Sequence, residues 1–175
     1  MHDVSGDPLQ TDRLELRPTI ESDRPTFVAL FGDEEFMAFS GGTLGIAAAN
    51  ERFDVMLANG AEVPFAKQPI IERASERIIG YTGVAWFEFE GERRLEFGWR
   101  LVPEARGRGY ATEAATALLE LAASSFDGEI LAMIDPRNEP SKRVAEKLGF
   151  AYWKLAEVHG FVDEIYTRRV VGPVE

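Results

Sequence analysis

The chain has 175 residues, 45% of them hydrophobic, which is enough for one domain with a sizeable core. Thirty acidic against 19 basic side chains give a formal charge of -11, which argues against a nucleic-acid backbone as direct partner and suits an amine-bearing substrate. The absence of cysteine excludes disulfides, thiolate metal sites and cysteine nucleophiles.

Residues 1–8 are expected to form a flexible tail, 9–171 a single domain and 172–175 a second short tail. The N-terminus lacks the basic and apolar regions of a signal peptide, and no apolar run approaches the roughly 20 residues of a membrane span. A cytoplasmic protein with no membrane partner is the expectation. Leu14 and Leu16 alternate with Arg13, Glu15 and Arg17, predicting a short strand ended by Pro18. Ser22 or Asp23 can cap a helix through Phe27, Leu30 and Phe31, with Pro25 in its first turn. Gly41, Gly42 and Gly45 mark a loop, and 47–57 reads as a second helix ending near Asn59 and Gly60.

Segments 65–73 and 77–88 read as antiparallel strands, followed by a turn at Glu90-Gly91-Glu92 and a strand over 95–102. In that last strand Leu95, Phe97, Trp99 and Leu101 share one face, and Glu96, Gly98 and Arg100 the other. Ala111, Ala114, Ala115, Leu118, Leu119 and Ala122 fall at helical spacing. A buried strand is expected over 129–134 and a helix over 138–148, with Gly149 as its left-handed C′ residue and Phe150 as its apolar C″ contact. Segments 152–158 and 164–170 read as a closing strand pair.

The run Arg106-Gly107-Arg108-Gly109-Tyr110-Ala111 joins the strand over 95–102 to the alanine-rich helix. Amides in a first helical turn lack internal partners, the helix dipole favours an anion there, and glycine admits close approach. A phosphate-bearing ligand is therefore expected. A triphosphate loop is excluded, because Tyr110 and Ala111 stand where lysine and serine or threonine are needed. A dinucleotide fold fits poorly: Thr112 occupies the third glycine position, and antiparallel-looking strands precede the turn.

Arg106-x-x-Gly109-x-Ala111 resembles the pyrophosphate-binding signature of the Gcn5-related N-acetyltransferases (GNAT), the acyl-CoA-dependent family. Leu9-Gln10-Thr11-Asp12-Arg13-Leu14-x-Leu16-Arg17 is similar to the opening strand of its ribosomal-protein (RimJ/RimL-like) branch. So is the block from Phe97-Gly98-Trp99 through Pro103-Glu104 to Ala114, and so is Asn138-x-x-Ser141-x-Arg143-Val144-x-Glu146-Lys147-Leu148-Gly149-Phe150. Three ordered blocks in one chain are a specific signal. The resemblance implies an α+β GNAT fold. Its central sheet is mixed, mostly antiparallel and twisted, with about seven strands, helices on both faces and a V-shaped split between the fourth and fifth strands.

It also implies acetyl-CoA as co-substrate and direct transfer to a primary amine, on a protein N-terminus or a small molecule. Amides of Arg106, Gly107, Arg108, Gly109, Tyr110, Ala111 and Thr112 would hold the pyrophosphate. Leu101 and Val102 would pair with pantetheine, and Asn138 would hydrogen-bond it or simply cap its own helix. Ser141 would stand near the thiol as acid, because Ala145 replaces the family's usual tyrosine. Glu96 and Glu157 are the candidate bases, since the attacking ammonium must lose a proton. The competing reading is a CoA-binding sensor without turnover. No metal is expected, for His2 and His159 lack ligand spacing, and a homodimer is compatible with the family.

Overall fold

The structure, a computed structural model, describes residues 7–173, so most of the expected tail over 1–8 and residues 174 and 175 lie outside it. The chain opens with β1 (Leu9–Gln10) and β2 (Leu14–Leu16), followed by α1 (Arg24–Phe31) and α2 (Ile46–Glu62). Three strands follow: β3 (Gln68–Glu72), β4 (Arg77–Phe89) and β5 (Glu92–Leu101). Then come α3 (Tyr110–Ala123), β6 (Gly128–Ile134), α4 (Glu139–Lys147), β7 (Ala151–Val158) and β8 (Phe161–Val170).

All eight strands form one sheet in the order β1-β2-β3-β4-β5-β6-β8-β7. Every neighbouring pair is antiparallel except β5 with β6. The sheet therefore has one strand more than the seven expected. The extra one is β1, paired through Leu9 with Leu16 and Gln10 with Glu15, and two residues are too few to show alternation.

The period of two in β5 decides which helices cover which face. Leu95, Phe97 and Leu101 are buried against Ala114, Ala115 and Leu118 of α3 in the larger core. The small alanines let α3 lie close to the sheet. The opposite face carries a second core, in which Phe27 and Phe31 of α1 and Phe53 of α2 surround Tyr81 of β4. Helices thus cover both faces.

Two local expectations are corrected. Asp23 does not cap α1 with its side chain; its carboxylate forms a bidentate pair with Arg17 (2.7 and 2.8 Å) and accepts the Ile20 N–H. Helix α2 runs past Asn59 and Gly60 to Glu62, and the Val63 N–H closes it on the Asn59 carbonyl. Burial of Met56 and Val63 outweighs the modest helix penalty of one glycine. The end of α4 is as anticipated: the Phe150 N–H bonds the Ala145 carbonyl and the Gly149 N–H that of Glu146, a Schellman motif.

Gly83 fixes the approach to the polar face of β5. A Cβ there would lie 2.4 Å from the Ala66 carbonyl oxygen, so only glycine lets residues 65–67 cross β4 this closely. The Lys67 N–H bonds the Val84 carbonyl (2.9 Å), and the lysine side chain is delivered to Glu96.

Candidate active site

The glycine turn forms a cradle of free amides. Gly107 (φ +71°) and Gly109 (φ +81°) are left-handed, and Gly109 precedes α3 with no side-chain cap. The first backbone bond of α3 runs from the Glu113 N–H to the Gly109 carbonyl. Among the described residues no acceptor engages the six successive N–H groups from Gly107 to Thr112. Such amides at a helix start form an anion site. The Arg106 N–H, placed in this set on sequence, is already bonded to the Pro103 carbonyl, so the cradle begins one residue later. The Arg106 guanidinium bonds the carbonyls of Leu101 (3.2 Å) and Glu35 (2.8 Å).

A clamp from the opposite end of the chain holds this turn. Arg13 donates to Glu113 through Nε (2.7 Å) and to the Arg108 carbonyl through Nη1 (2.9 Å). Thr11 Oγ1 (2.6 Å) and the Arg13 N–H (3.0 Å) donate to the same carboxylate. Burial alone would raise the Glu113 pKa, but the Thr11 and Arg13 bonds hold it below the usual carboxylate range. Tyr110 donates to Glu72 (2.7 Å) beneath Arg13, whose Cζ is 4.4 Å from the ring centroid. Thr11, Arg13 and Glu113 all lie within the resembling blocks, yet sequence reasoning gave them no role, because their pairing spans 100 positions.

Beside the cradle the sheet splits. Strand β5 pairs with β6 only at Leu95 with Ile130 and Glu96 with Leu131. Beyond that point 97–101 present one edge without a strand partner, as an extended amide ligand requires. Val102 contributes no free N–H, since it bonds the Ile79 carbonyl (2.9 Å), and the Leu101 carbonyl is engaged by Arg106. Across the opening, Asn138 caps α4 by accepting the Ser141 N–H on Oδ1 (3.2 Å), so its capping role is realised. Ser141 is partly buried in the first turn, whereas Ala145 is fully buried in the core.

The two candidate bases are not brought together. Glu96 faces the α1 and α2 side of the sheet and pairs with Lys67 (Oε2 to Nζ 2.7 Å), with both side chains mostly buried. Glu157 is exposed on the edge strand β7, where it pairs with Val162. Directly opposed residues share a face, so Glu157 shares one with Val162, and Ala156 with Asp163 on the other. It is Asp163 that neighbours Glu96. Burial first, then Asp135 and Glu96, push the Asp163 carboxyl above its ordinary pKa. Sequence gave no cue to Asp163, which depends on the register of the last hairpin. Among the described residues no group of three or more His, Asp or Glu side chains is arranged to hold a metal.

The fold is that of the acetyltransferases. The sequence profile of the acetyltransferase (GNAT) domain matches residues 13–151, and the chain belongs to that family. It is 29% identical over 163 residues to the uncharacterized protein YkkB of Bacillus subtilis (strain 168), covering 92% of this chain and 95% of that one. An acetyltransferase structure from Agrobacterium tumefaciens str. C58 superposes with a TM-score of 0.80 at 28% identity, covering 94% of this chain and 95% of its own. A GNAT-family chain from Bordetella pertussis does so with a TM-score of 0.81 at 25% identity, covering 93% and 99%.

Proposed function

We propose that the protein is an acetyl-CoA-dependent N-acetyltransferase that moves the acetyl group directly to a primary amine. The observation that carries this reading is the run of six unpartnered amides from Gly107 to Thr112 beside the unpaired edge of β5. The cradle fits a pyrophosphate and the edge fits the amides of a pantetheine arm. When bound, acetyl-CoA supplies an activated thioester carbonyl.

The chain's own residues then have separable tasks. Main-chain N–H groups of the open β5 edge would donate to the acyl oxygen as charge develops on it. Asp163, with its raised pKa, is the proton acceptor, while the Glu96 carboxylate is occupied by Lys67. The attacking amine's proton passes to Asp163 or to water beside it, with Glu96 orienting the ammonium. The Ser141 hydroxyl donates a proton, relayed from water, to the departing thiolate. Glu157, exposed on the other face, is given no part.

The RimJ/RimL-like assignment rests on the sequence blocks. A RimL structure named for ribosomal L7/L12 shares the fold (TM-score 0.75, 16% identity), as does an aminoglycoside acetyltransferase (TM-score 0.71, 18% identity). Both protein and small-molecule acceptors are therefore compatible with this architecture. The test is calorimetric binding of acetyl-CoA together with thiol release across a panel of amines. Saturable binding with amine-dependent thiol release is expected; binding without release from any amine would instead favour a CoA sensor.

A further inference from the structure

The α1 and α2 side of the sheet beside the split carries an unexpected concentration of unpaired positive charge. Arg100 lies on the polar face of β5, four residues beyond Glu96 and directly opposite Tyr81. It is partly buried, and its Nη1 and Nη2 reach only Met37 Sδ and Ser40 Oγ of the loop between α1 and α2. A thioether and a hydroxyl are poor partners for a group with five charged N–H donors. The rings of Phe36 and Tyr81 lie 5.6 and 5.7 Å from its Cζ.

Arg52 of α2, also partly buried, stacks on Phe31 with its Cζ 4.9 Å from the ring centroid. Among the described residues no carboxylate lies within ion-pair distance of Arg52, Arg100 or Arg106. A chain with 30 acidic residues thus leaves three guanidinium groups of one neighbourhood without a counter-ion. Burial chiefly lowers the Arg100 pKa, with Arg52 and Arg106 acting in the same direction and Tyr81 and Glu96 opposing them, so the buried guanidinium carries a net electrostatic cost that an anion would relieve.

Tyr81 supplies the independent observation. The residue is 3% exposed, and its hydroxyl makes no hydrogen bond among the described residues. Every fully buried side-chain polar atom there has a partner, so the unbonded Tyr81 hydroxyl keeps a small solvent-accessible area. Burial raises the phenol, but Arg100, Arg52 and Lys67 outweigh it and hold the group below its ordinary pKa, as expected of a hydroxyl facing several cations. At the other end of the same face stand Glu96, Asp163 and Asp135. The Phe161 ring packs on Gly41 and brings the last hairpin against the α1–α2 loop.

The geometry points to a zwitterionic acceptor, an amine bearing a carboxylate or phosphate, with its amine toward Glu96 and Asp163 and its oxyanion on Arg100, Arg52 and the Tyr81 hydroxyl. This assignment rests on the acetyl-transfer reading and narrows it to a substrate class. The protein's overall negative charge gives no hint of it.

Calorimetry on the CoA-loaded protein tests the assignment with two matched pairs, γ-aminobutyrate against butylamine and 2-aminoethyl phosphate against ethanolamine. The oxyanion-bearing member of at least one pair is expected to bind about tenfold tighter or more, as a charge-assisted contact predicts. The pair that shows the preference identifies the oxyanion. Arg100→Gln should remove most of that preference and leave the neutral-tailed amine unchanged. Equal binding within both pairs overturns the assignment, as does a variant that weakens CoA binding and leaves the preference intact. If Arg100→Gln loses its native circular dichroism, Arg52→Gln and Tyr81→Phe carry the test: a reduced preference in either upholds it, and an unchanged preference in both overturns it. Thiol release is read separately. Its absence with every amine refutes acetyl transfer, while the calorimetric preference still decides the oxyanion site.

Discussion

Replacing Glu113 by Gln tests whether the clamp shapes the cofactor cradle or merely ties two segments together. The carboxylate accepts the Thr11 hydroxyl at 2.6 Å, the Arg13 N–H at 3.0 Å and Arg13 Nε at 2.7 Å, and pairs with Nη2 at 2.6 Å. A bond to a charged group contributes about 1.5–3 kcal/mol when sheltered. The Arg13 side chain is 45% exposed, which reduces each of its contacts to about 0.5–1 kcal/mol. Glutamine retains one carbonyl acceptor, so the net loss is about 1–2 kcal/mol, or a fall in Tm of roughly 3–8 °C for a chain of this size. Arg13 also holds the Arg108 carbonyl, inside the cradle. Its release should weaken CoA binding about 3- to 30-fold, at tenfold per 1.4 kcal/mol. Thermal unfolding and calorimetric titration with CoA read the two effects independently. A lowered Tm with unchanged CoA affinity would show that the clamp does not shape the cradle. Acid supplies a second check. Because the Glu113 pKa is lowered in the fold, its stabilisation is present above the ordinary value of 4.5 and is lost as pH falls through the native value. The stability gap between wild type and Glu113→Gln should therefore close in acid and persist at neutrality.

Gly109→Val places a β-branched residue at φ +81° and directs its Cβ toward Arg13 Nη2, 3.5 Å away; loss of measurable CoA binding is expected, with strain of about 1–2 kcal/mol in denaturant unfolding. Ser141→Ala should lower kcat about 10- to 100-fold with the KM for acetyl-CoA unchanged, and an unaltered kcat would remove the hydroxyl from proton transfer. Asp163→Asn should do two opposite things. The raised native pKa means that the ionised carboxylate opposes folding, a cost that grows as pH rises through that value. The variant should therefore unfold at higher temperature than wild type near pH 8, while its kcat/KM falls and loses its acid limb. A less stable variant with an unchanged pH profile would contradict the placement of Asp163.

Short-range physics was legible in the sequence; long-range pairing was not. The turn at Gly107 and Gly109, the alternation of β5 and the Schellman end of α4 are each decided within a few residues, so periodicity and glycine placement suffice. Strand β1 escaped because two residues carry no period. Asn59 and Gly60 carry a local stop signal, but α2 continues to Glu62 because Val63 packs into the core beyond it. In the candidate site, Glu96 is legible because alternation puts it on the polar face of β5 and the family resemblance places a glutamate there. Its partner Lys67 and its neighbour Asp163 come from β3's approach and the last hairpin, and neither register is written in the local sequence.

Net charge misdirects for the same reason. A charge of -11 describes the average surface, and on that basis a cationic acceptor is the natural expectation. Binding depends on the few groups that face the ligand, and here they are not average. Many of the carboxylates that dominate the composition pair with arginines and lysines, as Glu113 does with Arg13, Asp23 with Arg17 and Glu164 with Lys142. Arg52 and Arg100 are exempt from that pairing, and they lie together beside Tyr81. Mutual repulsion makes such an arrangement unfavourable in the free protein, so an oxyanion between them gains both its own contacts and the relief of that repulsion. The local field, set by three side chains brought together from α2, β4 and β5, thus selects an acceptor that the global charge would not suggest.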